Sequence, residues 1–373
     1  MLCSCGSAPV IGILLPETGA AAPYGETIRN AIEIALEHAA EDGLDTTAVT
    51  LVWGDSGSDP DMAGDETRRM ARQDHAKIVV AAVTSDEAVA VIDALEDTMT
   101  VGLTPTASRA ELTRESQLFY RIFASDDLEG RKAAQFLREE KKVDTVLIVT
   151  SDTVHAEGLE PPFREMFVDV SEGEISGRIS LKDAAWQDAL RESLTGRKPD
   201  AIYLITYAED AKPVLSLIRE SGFDGIICGT SAINSQIVLD GAPDVFEEVF
   251  FPQPDFDLTG EKPQVQRFVA AYREKHAKDP DVFAAHAYDS IRIALQVATT
   301  VDVYEAPEIR KGFSFGINEY PGVTGYIQFN DYGDVQRSPI MFFFKDGVVQ
   351  NYEDYLEAEK KRIRDEIRKL LLS

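Results

Sequence analysis

VIGILLPETGAAAPYGETIRNAIEIALEHAAEDG, residues 10–43, runs a strand, a polar loop and a helix in immediate succession. Val10 to Leu15 are an unbroken apolar run, the pattern of a strand covered on both faces. Beyond the loop, Ile28, Ala31, Ile32, Ala35, Leu36 and Ala39 recur at helical spacing, and Gly43 supplies the stop. The loop itself, PETGAAAPYG, follows the carboxyl end of the strand, where open parallel sheets place their ligands.

The same unit recurs along the chain. Strands over 48–53, 77–82 and the short stretch MTVGL (99–103) alternate with helices through AGDETRRMARQ and SDEAVAVIDALED. A second series opens at LFYRIF (118–123), continues through a helix over EGRKAAQFLREE, and reaches strands at 145–150, 201–206 and 225–228. Helices near GLEPPFREMF and over AKPVLSLIRESG lie between them. Continuous apolar strands separated by amphipathic helices predict an α/β protein with two doubly wound parallel-sheet domains. Two further helices follow, over PQVQRFVAAYREKHAK and FAAHAYDSIRIALQVATTV. GYIQFN and IMFFFKDGVVQNY then read as antiparallel β, with Asp346-Gly347 as a hairpin turn. In the tail, Leu356, Ile363, Ile367 and Leu370 form one helical stripe, expected to pack on its own protein rather than to bind a partner.

The 373 residues, 44% hydrophobic and 27% charged, describe a globular protein of more than one domain. Against 37 Lys and Arg stand 65 Asp and Glu, a net charge of −28. Such a field repels phosphate backbones, which argues against nucleic acid as a partner. No run approaches the roughly 20 apolar residues that span a bilayer. Near the N-terminus, Leu2-Cys3-Ser4-Cys5 resembles a bacterial lipobox, with Cys5 as the candidate lipid attachment site and residues 1–9 as a short tether. Cys228 sits in an apolar run and reads as a small buried hydrophobe.

Signatures of nucleotide binding, zinc hydrolysis and serine hydrolysis are missing: no GxGxxG after a strand, no GxxxxGK[ST], no HExxH and no GxSxG. The five histidines, at 38, 75, 155, 276 and 286, lack ligand spacing. Metal, cofactor and catalytic residues are therefore not expected. Small polar residues gather instead after the strands, in PETGAAAPYG, VTSDEA, TPTASRAELT, SDTVHAEG, YAEDA and GTSAINS. A helix opening at SDEA offers free N–H groups to a carboxylate. Hydroxyls of Thr84, Ser108 and Ser231 would add hydrogen bonds.

IGILLPETGAAAPYGETIRNAIEIALEHA resembles the opening of the leucine/isoleucine/valine-binding protein family, the type I periplasmic binding proteins of ABC transporters. The likeness continues through DSGSDPDMAGDETRRMARQDHAKIVVAAVTSDEA, TPTASRAELT and YRIFASDDLEGRKAAQFL. It extends to YREKHAKDPDVFAAHAYDSIRIAL and GVTGYIQFNDYGDV. The resemblance implies two lobes joined by three hinge crossovers: 10–123 with 253–328, and 124–252 with 329–352, with 353–373 as a C-terminal helix. It implies a monomer outside the cytoplasm that closes over a small carboxylate-bearing ligand and delivers it to an ABC permease. Carried over residue by residue, the ligand contacts fall on Tyr24, Ser85, Thr106, Ala107, Ser108, His155, Tyr207 and Ser231. Two of these depart from the family's pattern. His155 stands for a tyrosine, and Ser231 for the acid that pairs with an amino-acid ammonium. Asp86, Glu209 or Asp210 would have to replace that acid, or the ligand lacks an ammonium. A diacid or an aromatic or aliphatic acid then becomes as open as leucine.

Two other functions stand beside a solute receptor. CGTSAINSQIVLDGAPDVFEEVFFPQPDFD also resembles lipoprotein activators of peptidoglycan synthases, which use this fold as an interaction module. An enzyme with His155 as base ranks below both, because no nucleophile or metal set accompanies the histidine.

Overall fold

The structure, a computed structural model, describes residues 8–196, 198–235, 243–335 and 337–372. Cys3 and Cys5 lie outside the described residues. Contacts divide the chain into two units: one runs to Asp127 and resumes over Pro254–Arg337, the other comprises Leu128–Gln253 and the residues from Ser338 onward. The chain therefore passes between units three times. The third passage falls at 337/338 rather than 328/329, because Asp334 is tied to Arg121 of the first unit.

The first unit is built on five parallel strands in the order β2-β1-β3-β4-β5: Val10–Leu15 (β1), Thr50–Asp55 (β2), Ile78–Val80 (β3), Val101–Thr104 (β4) and Phe119–Arg121 (β5). β1, β3 and β4 bury every residue from Ile11 on, as double-sided coverage requires. Helices Ala22–Glu41, Pro60–Arg72, Ser85–Thr98, Pro263–His276 and Val282–Thr300 belong to this unit. Val282–Thr300 contributes most to its core: fifteen of its nineteen residues are buried.

The second unit holds a seven-stranded sheet in the order β14-β13-β10-β9-β8-β6-β7. Its strands are Thr145–Thr150 (β6), Glu174–Ser180 (β7), Ala201–Ile205 (β8), Ile226–Cys228 (β9), Val249–Gln253 (β10), Ile340–Lys345 (β13) and Val348–Asn351 (β14). The first five run parallel; β13 and β14 form the expected antiparallel hairpin. Asp346 and Gly347 both take positive φ at its turn (53° and 75°), the geometry that this dipeptide favours. The first unit carries the small hairpin of Tyr320–Gly322 (β11) and Gly325–Ile327 (β12).

β7 and β10 escaped the sequence reading for different reasons. β7, EISGRIS, is an edge strand whose residues alternate between exposed and half-buried, so no apolar run marks it. β10 carries Pro252, which argues against a central strand, yet it pairs with β9 and β13.

Asp281 caps helix Val282–Thr300 by accepting from the Ala284 amide at 2.8 Å, and Thr27 Oγ donates to it at 3.3 Å. Burial raises its pKa to about 6 against the opposing hydrogen bonds. The folded state thus holds this proton more tightly than the unfolded chain, whose aspartate titrates near 3.8. Stability contributed here is present below about pH 4 and is lost as pH rises towards about 6. Asp281→Asn keeps a capping oxygen and removes the titration. In urea unfolding, the variant should gain on the parent by roughly 1–3 kcal/mol between pH 4 and pH 7. A pH-independent difference would contradict this.

Candidate functional site

In each sheet the candidate residues follow strands at the point where strand order reverses. In the first unit that point is β1/β3: Tyr24 follows β1, Thr84 and Ser85 follow β3, and Thr106–Ser108 follow β4. In the second unit it is β6/β8: His155 follows β6, Tyr207 follows β8 and Ser231 follows β9. Crevices at such points are the usual ligand sites of open α/β sheets.

In the first unit, several expected donors are committed to the protein. Thr84 is the N-cap of helix Ser85–Thr98; its Oγ accepts from the Glu87 amide at 3.3 Å and donates to the Glu87 carboxylate at 3.0 Å. Its hydroxyl is a capping-box group. Ser56 Oγ also donates to Glu87, which is buried, and burial raises the Glu87 pKa. Thr106 Oγ donates to the Val83 carbonyl at 2.6 Å, while the amides of Thr106 and Ala107 both reach Thr104 Oγ, at 3.2 and 2.9 Å. The backbone of this loop is therefore shaped by hydroxyls.

Ser85 has a different status. Its buried Oγ accepts from the amides of Ser108 and Arg109, each at 3.2 Å. Both acceptor positions of a hydroxyl are then filled, and its O–H remains to donate. Tyr24 packs edge-on against Phe283 with ring centroids 5.4 Å apart, and Phe283 stacks on Phe123 at 5.8 Å. Phe283 was not singled out in the sequence, where it reads as one more apolar residue of a helix.

Arg121, at the end of β5, organises the loop from behind. Its side chain is fully buried. Its guanidinium makes a two-pronged pair with Asp334, at 3.0 and 2.6 Å, and donates to the carbonyls of Ser108 and Arg109 at 2.8 and 2.6 Å. The planar fork of arginine suits this bidentate geometry, and a lysine could not reproduce it.

In the second unit, His155 and Tyr207 stack at 5.3 Å with rings 22° apart. His155 is not in a loop as expected. Thr153 caps helix Val154–Arg164 by accepting from the Ala156 amide, which makes His155 the second helical residue. Tyr207 is the N-cap residue of helix Ala208–Glu220. Ser231 opens a short 3₁₀ turn, and both of its donors go to one carboxylate: its amide reaches Glu129 Oε1 at 2.7 Å and its Oγ reaches Oε2 at 2.8 Å. Glu129 is fully buried on helix Asp126–Gln135. With its hydrogen on Glu129, the Ser231 hydroxyl has only lone pairs left to offer.

The acid beside Ser231 is thus Glu129, and not Asp86, Glu209 or Asp210. Asp86 lies in the other unit, and Glu209 and Asp210 are exposed at the start of helix Ala208–Glu220. The signal was in the sequence: Glu129 precedes Ala133, Phe136 and Leu137 at spacings of four, seven and eight, on the buried face of its helix. Among the described residues, no group of His, Cys, Asp and Glu is placed to hold a metal ion, and no helix is long and apolar enough to cross a membrane.

Residues 9–339 match the family model described as periplasmic binding protein. The chain belongs to the periplasmic binding protein family. It is 24% identical over 338 residues to the leucine-, isoleucine-, valine-, threonine- and alanine-binding protein of Pseudomonas aeruginosa, covering 88% of this chain and 87% of that one. Its fold matches the branched-chain amino acid transporter substrate-binding protein LivJ of Streptococcus pneumoniae, solved with isoleucine, at a TM-score of 0.83, 24% identity and coverage of 92% and 98%. It matches equally, at 0.83 and 20% identity with 93% and 96% covered, an ABC transporter solute-binding protein of R. palustris solved with benzoate. The relatives are binding proteins rather than enzymes.

For this periplasmic binding protein, Arg121→Met should cost about 3–5 kcal/mol in urea unfolding, because it strands a carboxylate and two carbonyls. Arg121→Lys should cost less, and in both variants the Ser108 and Arg109 amides should exchange faster. A variant as stable as the parent would contradict the assigned role.

Proposed function

We propose that this protein is the extracytoplasmic receptor of an ABC importer and captures a small solute carrying one carboxylate and, beside it, a hydrogen-bond donor. An α-amino or α-hydroxy acid fits that description. One observation carries the reading: the two serines of the candidate site have opposite polarity. Ser85 accepts two amides and donates, whereas Ser231 donates to Glu129 and accepts. A ligand group held by Ser85 must accept, and one held by Ser231 must donate. The buried carboxylate behind Ser231 further favours an ammonium over a second carboxylate. The diacid that a serine at 231 left open in the sequence is thereby disfavoured.

The remainder of the ligand would lie against rings. Tyr24 with Phe283, and His155 with Tyr207, offer flat surfaces to an aliphatic or aromatic side chain. The relative solved with isoleucine carries such a ligand, whereas the one solved with benzoate holds an acid that lacks the donor; both support an ABC permease as partner. A lipid tether through Cys5 belongs to the same proposal. In the native host, Cys5→Ser should move the protein from the membrane fraction to the soluble one, and a variant that stays would contradict the tether.

Ligand class is read by thermal shift and calorimetry across α-amino acids, α-hydroxy acids, simple monocarboxylates and dicarboxylates. The first two classes should bind, since saturating ligand stabilises the folded state. Ser85→Ala should weaken binding roughly ten- to a hundredfold, the loss of one hydrogen bond to a charged group. Ser231→Ala should do the same for an amino acid and leave its desamino analogue unchanged. A dicarboxylate bound more tightly than any amino or hydroxy acid would overturn the proposal.

A further inference from the structure

Among the described residues, the C-terminal helix Tyr352–Leu372 is anchored at one end only. Tyr352 packs on Phe136, Phe250 and Phe343, Tyr355 packs on Phe343, and Lys141 donates to the Tyr352 hydroxyl at 2.8 Å. From Lys360 to Leu371 every side chain is exposed, including Ile363 at 48% and Ile367 at 50%. The stripe expected to pack on its own protein therefore does so only at its base, because the helix continues past the sheet edge that covers it.

From the half-buried Leu356 outward, the helix has a heptad pattern on one face. Leu356, Ile363 and Leu370 occupy d positions, and Lys360 and Ile367 occupy a positions. Glu359 and Glu366 then fall at g, and Glu357, Arg364 and Leu371 at e. The helix is held straight by pairs along its own flank: Glu357 with Lys360 at 2.8 Å, and Arg362 with both Glu359 and Glu366 at 2.6 and 3.3 Å.

We infer that this face pairs with the same helix of a second copy of the chain, as a parallel two-stranded coiled coil. Charge selects the partner and the direction. In a parallel in-register pair, Glu359 at g faces Arg364 at e of the other copy, twice by symmetry. In the antiparallel alternative, g meets g, which opposes Glu359 to Glu366. A branched Ile367 at a with Leu356 and Leu370 at d is the packing that suits two strands, and Lys360 at a penalises higher oligomers and shifted registers. The seam covers only about two heptads, so the dimer is concentration-dependent rather than obligate.

Sedimentation equilibrium of the full chain tests this, from about 1 µM to about 1 mM. The apparent mass should rise from monomer towards dimer across that range. Ile363→Glu with Ile367→Glu should abolish the rise, while the variant keeps the parent's helical content and thermal midpoint. In a background with Cys3 and Cys5 changed to serine, Ile367→Cys with a mild oxidant should yield a cross-linked dimer, since a-position residues face each other only in the parallel register. A chain monomeric throughout, a dimer surviving the double glutamate variant, or a monomer that instead floats with anionic vesicles would overturn the inference.

Discussion

The geometry of the first unit depends on one buried charge. A guanidinium removed from water survives only if its donors are matched, and Arg121 matches them with two segments, one of them distant in sequence. Asp334 neutralises it, and the carbonyls of Ser108 and Arg109 accept from its Nη1. Those same two residues present their amides to Ser85 Oγ, at 3.2 Å each. The chain of dependence is therefore short: Asp334 holds Arg121, Arg121 holds the loop, and the loop orients the hydroxyl of Ser85. It also explains why the segment around Asp334 belongs to the first unit, although it follows that unit's last helices in sequence.

The second unit solves a related problem with the opposite sign. Glu129 is buried on the apolar face of its helix and receives both donors of Ser231. A carboxylate accepts only, so its presence fixes which way the Ser231 hydroxyl points. Two chemically identical serines thus acquire opposite hydrogen-bonding roles from a backbone in one case and an acid in the other. The proposed ligand, with one group that accepts and one that donates, follows from those assignments rather than from the serines' presence alone.

Much of this was legible in the sequence. Apolar runs at 10–15, 145–150 and 201–206 mark β1, β6 and β8, and the candidate residues lie in the loops and first helical turns that follow the strands. The family resemblance placed those residues individually, and the family match spans the same length of chain. What the sequence hid were partners rather than positions. Thr84 and Thr106 could be read as ligand donors because a hydroxyl does not announce whether a backbone carbonyl or a capping box will claim it. Arg121 inside FYRIF and Glu129 on an apolar helix face were visible as charges in buried patterns, yet what each would bind depended on segments roughly one to two hundred residues away. β7 was lost because an edge strand need not be apolar.

Mass spectrometry of the protein purified under native conditions, with any retained small molecule identified after release, bears on the central claim without presupposing a ligand. The account predicts a retained compound with a single carboxylate and a neighbouring ammonium or hydroxyl. A retained dicarboxylate, or an acid with no donor group near its carboxylate, would contradict it.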